Sequence, residues 1–308
     1  MKKSVQAQRP ATNLYAEVTD RIIAELEAGP LPWVQPWGEC GAEVGMPCNA
    51  GTGRRYSGVN VLTLWVEVMK RGWSSQRWLT YRQAQALGGN VRKGEVGTTI
   101  CYADRFTPKD QDGGDEQGEE ARQVAFLKRF TVFNVDQCES LGSDLVAMPA
   151  PLTEEQIVPV ADDLIAASGV DFRIGGLRAF YTSSEDFVMV PPRRAYFDEI
   201  NAYRTWLHEL VHATGHASRL GRDLTNPFGS AGYAREELIA EMGSAFLCAS
   251  LGIVPTVRHA DYIGSWLEVL REDSRAIFRA ASAASKAADW LLERHACACR
   301  DYAQEEAA

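Results

Sequence analysis

The sequence contains no apolar run close to the roughly 18 residues that a membrane-spanning helix needs. Its first residues, Met1-Lys2-Lys3-Ser4, lead into further polar residues, so no export or anchoring signal is visible. Its seven cysteines are odd in number, and no two of them form a Cys-x-x-Cys pair. This usage fits reduced thiols better than a disulfide framework. We therefore expect a cytoplasmic protein with no membrane partner.

The chain also lacks an excess of positive charge. It has 32 Lys and Arg against 41 Asp and Glu, a net charge of -9, which excludes nucleic-acid binding by bulk charge alone. The charges are unevenly placed, however, because residues 54–109 hold ten basic and only three acidic residues. The next segment, residues 110–120, is acidic and rich in glycine, a composition typical of a flexible loop. Any site for phosphate groups should therefore lie in residues 54–109.

Apolar spacing in the first half predicts helices and a hairpin. Leu14, Val18, Ile22 and Leu26 follow helical periodicity, as do the apolar residues of 61–68, which Gly72 follows. Thr80 and Gln83 have the spacing of a capping box, which predicts a short helix after Thr80. Two β-rich runs, 98–106 and 123–135, flank the acidic segment. We predict an α+β domain over residues 1–140, with a long β-hairpin whose tip is the acidic segment.

Prolines and small residues mark a boundary after this domain. Pro149, Pro151 and Pro159 indicate a linker, which we place at residues 141–156, followed by a second domain over residues 157–308. Short β-rich runs at 171–174, 179–182 and 187–190 and helical patterns from residue 198 predict a mostly helical domain with a small sheet. The run 187–190 is either an edge strand that pairs with an extended peptide or a packed structural strand.

The segment His208-Glu-Leu-Val-His212 is an HExxH motif. Its surroundings have helical periodicity, so both histidines project from adjacent turns, about 5 to 6 Å apart at Cβ, as two ligands of one Zn²⁺ require. Glu209 adjoins the first ligand and can act as the general base for the attacking water. The motif predicts a zinc site with His208 and His212 as ligands and Glu209 as the catalytic residue.

A catalytic zinc usually has three protein ligands. His216 is one candidate, although Gly215 before it is expected to end the helix. Glu237 and Glu241 are the others, because they lie one helical turn apart beside an apolar stripe. We predict Glu237 as the third ligand and Glu241 as the acid that orients a ligating histidine, with Glu236 on a solvated face. Tyr233, before this pair, either stabilises an oxyanion or is simply packed.

The basic region of the first domain carries candidates for binding single-stranded DNA, which needs cations for phosphates and aromatic faces for bases. The predicted contact residues are Arg54, Arg55, Tyr56, Arg77, Trp78, Arg82, Arg92 and Lys93, and the further aromatic candidates are Trp73, Tyr81, Tyr102 and Phe130. For each of these aromatic residues, the alternative to stacking on a base is burial in the protein core.

Several segments, in one order along nearly the whole chain, resemble ArdC-type antirestriction proteins of conjugative plasmids. In the second half these are Pro191-Pro-Arg-Arg-Ala-Tyr-Phe197, the segment from His208 to Leu220, and Tyr233-Ala-Arg-Glu-Glu-Leu-Ile-Ala-Glu241. In the first half they are Tyr56-Ser-Gly-Val-Asn-Val-Leu62, Gly88-Gly-Asn-Val-Arg-Lys-Gly-Glu95 and Val132-Phe-Asn-Val-Asp-Gln137. The resemblance implies an amino-terminal domain that binds single-stranded DNA, followed by a zincin-like metallopeptidase domain.

The function implied is protection of incoming DNA from host restriction, with a zinc domain that cleaves a protein such as a restriction component. Two alternatives remain open from the residues. The protein either shields DNA purely by binding it, with a structural zinc, or is a general cytosolic zinc protease whose basic domain recruits protein substrates. Glu209 favours a hydrolytic site, because a structural zinc has no use for a general base.

Overall fold

A computed structural model describes residues 13–29, 31–34, 41–106, 124–147, 150–254 and 262–306. Its helices are α1 Leu14–Glu27, α2 Val59–Arg71, α3 Tyr81–Ala86, α4 Ser143–Val146, α5 Glu154–Ala167, α6 Asn201–Thr214, α7 Ala231–Leu251, α8 Ile263–Glu272 and α9 Ala276–Glu306. Its strands are β1 Cys48–Asn49, β2 Arg77–Leu79, β3 Asn90–Val91, β4 Thr98–Phe106, β5 Val124–Asn134, β6 Cys138–Glu139, β7 Asp171–Ile174, β8 Phe180–Thr182 and β9 Phe187–Val190. The predicted α+β class is confirmed.

The three helices predicted in residues 14–88 are present. The four apolar residues of α1 are buried, and α2 ends at Gly72, whose left-handed φ of 64° suits glycine. The predicted capping box is present at α3, since the Thr80 side chain accepts from the Gln83 backbone and the Gln83 side chain accepts from Thr80. Helices α2 and α3 pack on a sheet with the strand order β1-β2-β5-β4.

The predicted long hairpin is confirmed as the antiparallel pair β4 and β5, which runs in register from Thr98 opposite Val132 to Phe106 opposite Val124. The predicted tip, residues 110–120, lies outside the described residues. Along this hairpin the side chains of Tyr102 and Phe130 are 55% and 45% exposed. The hairpin thus presents two aromatic rings to solvent.

The second half contains a three-stranded sheet with the order β7-β9-β8. β9 pairs with β7 in parallel and with β8 antiparallel, so both of its edges are occupied. The edge-strand interpretation of 187–190 is therefore wrong, and Phe187, Val188 and Val190 are buried as in a packed strand. The edges of this sheet are β7 and β8, and β8 is available for an extended segment.

Helix α5 begins inside the predicted linker. Thr153 and Gln156 form a capping box there, and Pro159 lies within the helix rather than in a loop. A proline inside a helix costs about 3 kcal/mol. Burial of Ile157, Ala161 and Leu164 on the same helix offsets that cost. The prolines of 149–159 therefore do not all mark a linker, and the domain limits 1–140 and 157–308 stay predictions.

One hydrophobic core connects the two halves. Trp65 of α2 packs edge-on against Phe246 of α7, with ring centroids 5.6 Å apart, and Trp33 meets Trp266 of α8 at 5.4 Å. The backbone N–H of Gly58 donates to the Ser285 hydroxyl of α9 at 2.8 Å. Because each half covers apolar side chains of the other, experiments on this protein require the full chain.

Replacing Phe246 by Ala is expected to destabilise the whole chain by about 3 to 5 kcal/mol, because it leaves a cavity in the shared core. Chemical denaturation followed by far-UV circular dichroism would measure the loss. Phe197→Ala, at a fully exposed ring, should change the stability by under about 0.5 kcal/mol. Two separate transitions, only one of them shifted by Phe246→Ala, would contradict a shared core.

Within the described residues, no helix combines the length and the apolar character needed to cross a bilayer.

Candidate metal centre

Helices α6 and α7 pack closely enough to bring their polar side chains together. Gly243 of α7 lies against Val211 of α6, where an added Cβ would come within 2.9 Å of the valine Cγ1. The apolar residues around the motif, including Leu207 and Leu210, are buried against Leu238 of α7. This packing turns the polar faces of both helices toward one cleft.

His208, His212 and Glu237 meet at that cleft. The two histidine Nε2 atoms lie 3.2 Å apart, and the Glu237 carboxylate oxygens lie 3.5 Å from His208 Nε2 and 3.6 Å from His212 Nε2. One ligand atom from each of the three residues lies within 4.8 Å of the others, and this is the one such group in the described part of the chain. Two imidazoles and one carboxylate are a donor set that suits a divalent ion such as Zn²⁺.

Glu241 holds His208 from behind. Its Oε1 lies 3.3 Å from His208 Nδ1, and its Oε2 accepts from Arg204 Nη2 at 3.0 Å. The Glu241 and Arg204 side chains are only 1% and 3% exposed, so the carboxylate keeps its place and its charge is balanced. A carboxylate at Nδ1 favours the tautomer in which Nε2 faces the metal. Glu241 thus lies where the sequence prediction requires it.

Glu236 holds His212 in the same way, and its assignment to a solvated face is wrong. Its Oε1 lies 3.1 Å from His212 Nδ1, and Arg222 donates to both of its oxygens at 2.8 and 3.0 Å. Glu236 is only 9% exposed. Arg222 lies in the loop after α6, so no spacing within α7 indicates this partner. Each histidine therefore has a carboxylate behind it, and each carboxylate has an arginine.

The charges around the three ligand atoms favour a cation. Burial by itself lowers the pKa of His208, but hydrogen bonds with Glu237 and Glu241 outweigh burial and raise the pKa to about 10. Burial raises the pKa of Glu237, yet the hydrogen bond from His208 and the charge of His212 lower it to about 2. Because arginines balance Glu236 and Glu241, the carboxylates of Glu209 and Glu237 are left to compensate a divalent ion.

Glu209 and Tyr233 line the same cleft, whose volume is about 470 Å³. The cleft is also lined by Phe180 and Tyr181 of the edge strand β8. The Tyr233 hydroxyl lies 3.3 Å from that of Tyr262, and burial, then Tyr262 and Glu237, raise its pKa. Tyr233 therefore keeps its proton and has an O–H to donate. β8 thus places an edge of the small sheet beside the cleft.

The other candidate ligand, His216, points elsewhere. Helix α6 ends at Thr214, and His216 Nδ1 lies 2.8 Å from Ser218 Oγ and 3.6 Å from Asp186 Oδ2. It does not join the group formed by His208, His212 and Glu237. The expected end of the helix at Gly215 explains why.

The predicted DNA-contact residues of the first domain differ in their exposure to solvent. The side chains of Arg54, Arg55, Arg82, Arg92 and Lys93 are exposed, and Tyr56 and Arg77 are partly buried. The prediction for Trp78 is wrong, because its ring is fully buried edge-on against Trp73 and cannot meet a base. Arg77 donates to the carbonyl oxygens of Asp144 and Leu145, which fixes its guanidinium to the protein.

Comparison with known proteins places the two halves in matching families. Residues 12–133 match the family described as the N-terminal domain of anti-restriction factor ArdC, and residues 159–283 match the zincin-like metallopeptidase family. The crystal structure of the metal-free antirestriction ArdC protein from plasmid R388 is 41% identical, covers 92% of this chain and 98% of its own, and aligns with a TM-score of 0.78. The chain belongs to the ArdC family of antirestriction proteins.

Further relatives of this ArdC-family chain agree with that assignment. The Mn(II)-bound structure of the R388 protein is 40% identical over the same shares of both chains, with a TM-score of 0.75. An uncharacterized protein of Sinorhizobium fredii, y4eC, is 41% identical over 94% of this chain and 95% of its own length. The DNA primase TraC of Escherichia coli is 41% identical over 90% of this chain, which spans only 27% of the primase.

These findings confirm the resemblance and the two-domain α+β architecture. The zincin-like domain implies a metal ion, and its relative from R388 binds Mn(II).

Proposed function

We propose that this ArdC-family protein binds single-stranded DNA that enters a recipient cell during conjugation and protects it from host restriction. We further propose that its zincin-like domain is a zinc metallopeptidase that acts on a protein target such as a restriction component. The observation that carries the enzymatic part is the presence of Glu209 in the cleft beside His208, His212 and Glu237. The activity belongs in the cytoplasm, where entering DNA and restriction enzymes meet.

Zn²⁺ is the ion that this donor set favours. Imidazole ligands suit zinc, whereas Mn²⁺ prefers carboxylate and water ligands and binds most sites more weakly. His208, His212 and Glu237 would hold the ion, with Glu241 and Glu236 orienting the two imidazoles. When bound, the ion supplies Lewis-acid chemistry that polarises the scissile carbonyl and acidifies water.

The protein's own groups then divide the proton transfers of peptide hydrolysis. Glu209 accepts a proton from the attacking water as the water oxygen bonds to the carbonyl carbon. The same carboxyl delivers that proton to the leaving nitrogen as the C–N bond breaks. The Tyr233 O–H donates a hydrogen bond to the carbonyl oxygen while it carries negative charge.

The DNA-binding part is supported by the hairpin. The rings of Tyr102 and Phe130 lie edge to face with centroids 6.3 Å apart, and Lys128 of the same hairpin is exposed. Exposed aromatic faces beside cations are the elements that bind single-stranded DNA without sequence preference. Tyr81 is also 46% exposed, in contrast to the buried Trp78. We therefore assign the stacking role to these exposed rings.

Replacing Tyr102 and Phe130 together by Ala is expected to weaken single-stranded DNA binding, because each stacked base contributes about 1 to 3 kcal/mol. The anisotropy of a fluorescent oligothymidylate titrated with the full chain would measure the loss, with little change in its salt dependence. The control is Tyr302→Ala, at a 64% exposed ring on α9. Unchanged affinity in the double variant would remove these rings from the interface.

The two alternative functions make different demands on the cleft. A protein that only covers DNA, with a structural metal, has no use for Glu209. A general cytosolic zinc protease would cleave proteins whether or not DNA is bound. The effect of Glu209→Gln on protection distinguishes the first alternative from the proposal, and loss of protection in the hairpin variant argues against the second.

A further inference from the structure

A basic groove lies between α1 of the first half and α9 of the second, beside the metal cleft but distinct from it. It has a volume of about 660 Å³ and is lined by Tyr15 of α1 and by Arg222, Arg275, Phe278, Arg279 and Lys286. Residues 140–308 hold 15 basic and 24 acidic residues, so a groove lined by four cations and no carboxylate is a local exception. Such a concentration of positive charge attracts anions.

Two of the cations lie on one face of α9, and Arg275 immediately precedes the helix. Arg279 and Lys286 are seven residues apart, a helical repeat of about 10 Å at 1.5 Å per residue. All three side chains are exposed, while the opposite face of α9 is buried in the shared core. Arg279 pairs with Asp273, an exposed ion pair that contributes little to stability and exchanges readily for another anion.

Aromatic rings form the floor of the groove. Tyr15 and Phe278 meet edge to face with centroids 4.7 Å apart. The guanidinium of Arg275 lies over the Tyr15 ring, 4.9 Å from its centroid. A guanidinium that is already stacked on an aromatic ring offers its edge to a phosphate and loses little freedom on binding.

Helix α1 also contacts the hairpin, on the face opposite to the exposed aromatic pair. Glu17, two residues after Tyr15, accepts two hydrogen bonds from Arg129 of β5 at 2.6 and 3.1 Å. Arg129 is the neighbour of Phe130. Because consecutive side chains of a strand point to opposite faces, the ring of Phe130 lies on the face of β5 that is turned away from α1.

We propose that this groove binds the phosphate backbone of single-stranded DNA and adds a contact surface on the second domain to that of the hairpin. The proposal rests on the single-stranded DNA binding proposed above. Nucleic acid is favoured over an acidic peptide because the cations accompany an aromatic floor.

Arg222 lies where the groove meets the metal centre. Its guanidinium already donates to Glu236, to the Thr214 hydroxyl and to the Val211 carbonyl, so it supports His212 from behind. It lines the groove, but Glu236 balances its charge, and its replacement would disturb the metal ligands. The tests below leave it intact.

The test compares two full-chain variants with equal net charge. The groove variant carries Arg275→Gln, Arg279→Gln and Lys286→Gln, and the control variant carries Arg194→Gln, Arg271→Gln and Arg300→Gln at exposed sites outside the groove. The affinity for a fluorescent oligothymidylate is measured at several salt concentrations. Each lost phosphate contact lowers the slope of log K against log salt by about 0.7 on single strands. Three lost contacts predict a slope smaller by about 2 and an affinity roughly 100-fold lower in 0.1 M salt.

The outcomes separate the groove from the proposed function. Equal binding by the groove and control variants would overturn the groove while the hairpin's DNA binding still stands. No binding by the wild-type chain would overturn both. Polyglutamate of equal charge is compared with unlabelled oligothymidylate as a competitor. If polyglutamate displaces the labelled oligonucleotide equally well, the groove is assigned to acidic peptides instead. Circular dichroism and metal content check that the variants fold. If the triple variant does not fold, the single variant Lys286→Gln is used, and its slope of log K against log salt should change by about 0.7.

Discussion

Replacing Glu209 by Gln is expected to lower peptide hydrolysis by about 100- to 10,000-fold, the usual contribution of a general base. The amide is nearly the same size as the carboxylate but cannot accept the proton of the attacking water. His208, His212 and Glu237 are unchanged, so metal content, fold and DNA affinity should persist. Hydrolysis of casein by the metal-loaded full chain measures the first effect, and Glu199→Gln, at an exposed acid outside the cleft, is the matched control.

The same variant shows whether protection needs hydrolysis. Plasmid transfer is counted into restricting and non-restricting recipients, with wild type, Glu209→Gln and the Tyr102/Phe130 double variant. Under the proposed function, Glu209→Gln loses protection in restricting recipients while transfer into non-restricting recipients stays unchanged. Full protection by Glu209→Gln would favour a protein that only covers DNA, even if casein cleavage were lost.

Replacing His212 by Ala is expected to remove the metal from the full chain. Two ligands remain, and Glu236 loses the imidazole that it orients. Mass spectrometry of the metal in the purified protein, expected at one ion per chain in wild type, should fall to near zero. His216→Ala is the control, because His216 lies outside the ligand group. Full occupancy in His212→Ala would refute the assigned ligand set.

Replacing Glu241 or Glu236, the acids that orient the two histidines, should weaken metal binding less than replacing the ligand Glu237. Glu237→Ala is expected to weaken metal affinity more than Glu241→Ala or Glu236→Ala, each of which should cost about 10- to 100-fold. Similar losses from the last two variants would reflect their matching positions behind His208 and His212. A larger loss from Glu241→Ala than from Glu237→Ala would exchange the two roles.

Much of the centre follows from spacing along two helices. The four-residue spacing places His208 with His212 and Glu237 with Glu241. This local pattern predicts the three ligands and also Glu241, the acid that orients His208. Glu236 escapes prediction because its partner Arg222 comes from a loop, and no periodicity connects a loop to a helix face. Non-local contacts of this kind require the packed structure.

The errors in the rest of the fold have the same origin. A strand as short as Arg77–Leu79 shows that Trp78 alternates with its neighbours but not which face is covered, and Trp73 covers it. The order β7-β9-β8 depends on crossovers, so the run 187–190 could not be assigned to an edge or to the centre from its residues. Long hairpins and capped helices were predictable because their contacts are close in sequence.

The shared core constrains how the two halves can be inherited. Trp65 and Phe246, like Trp33 and Trp266, must keep complementary shapes although one member of each pair belongs to each half. A chimera that joins the first half of one relative to the second half of another would place unmatched side chains against each other. The halves should therefore be exchanged between genomes as a single cassette, and a recombination breakpoint near the middle of the gene would be selected against.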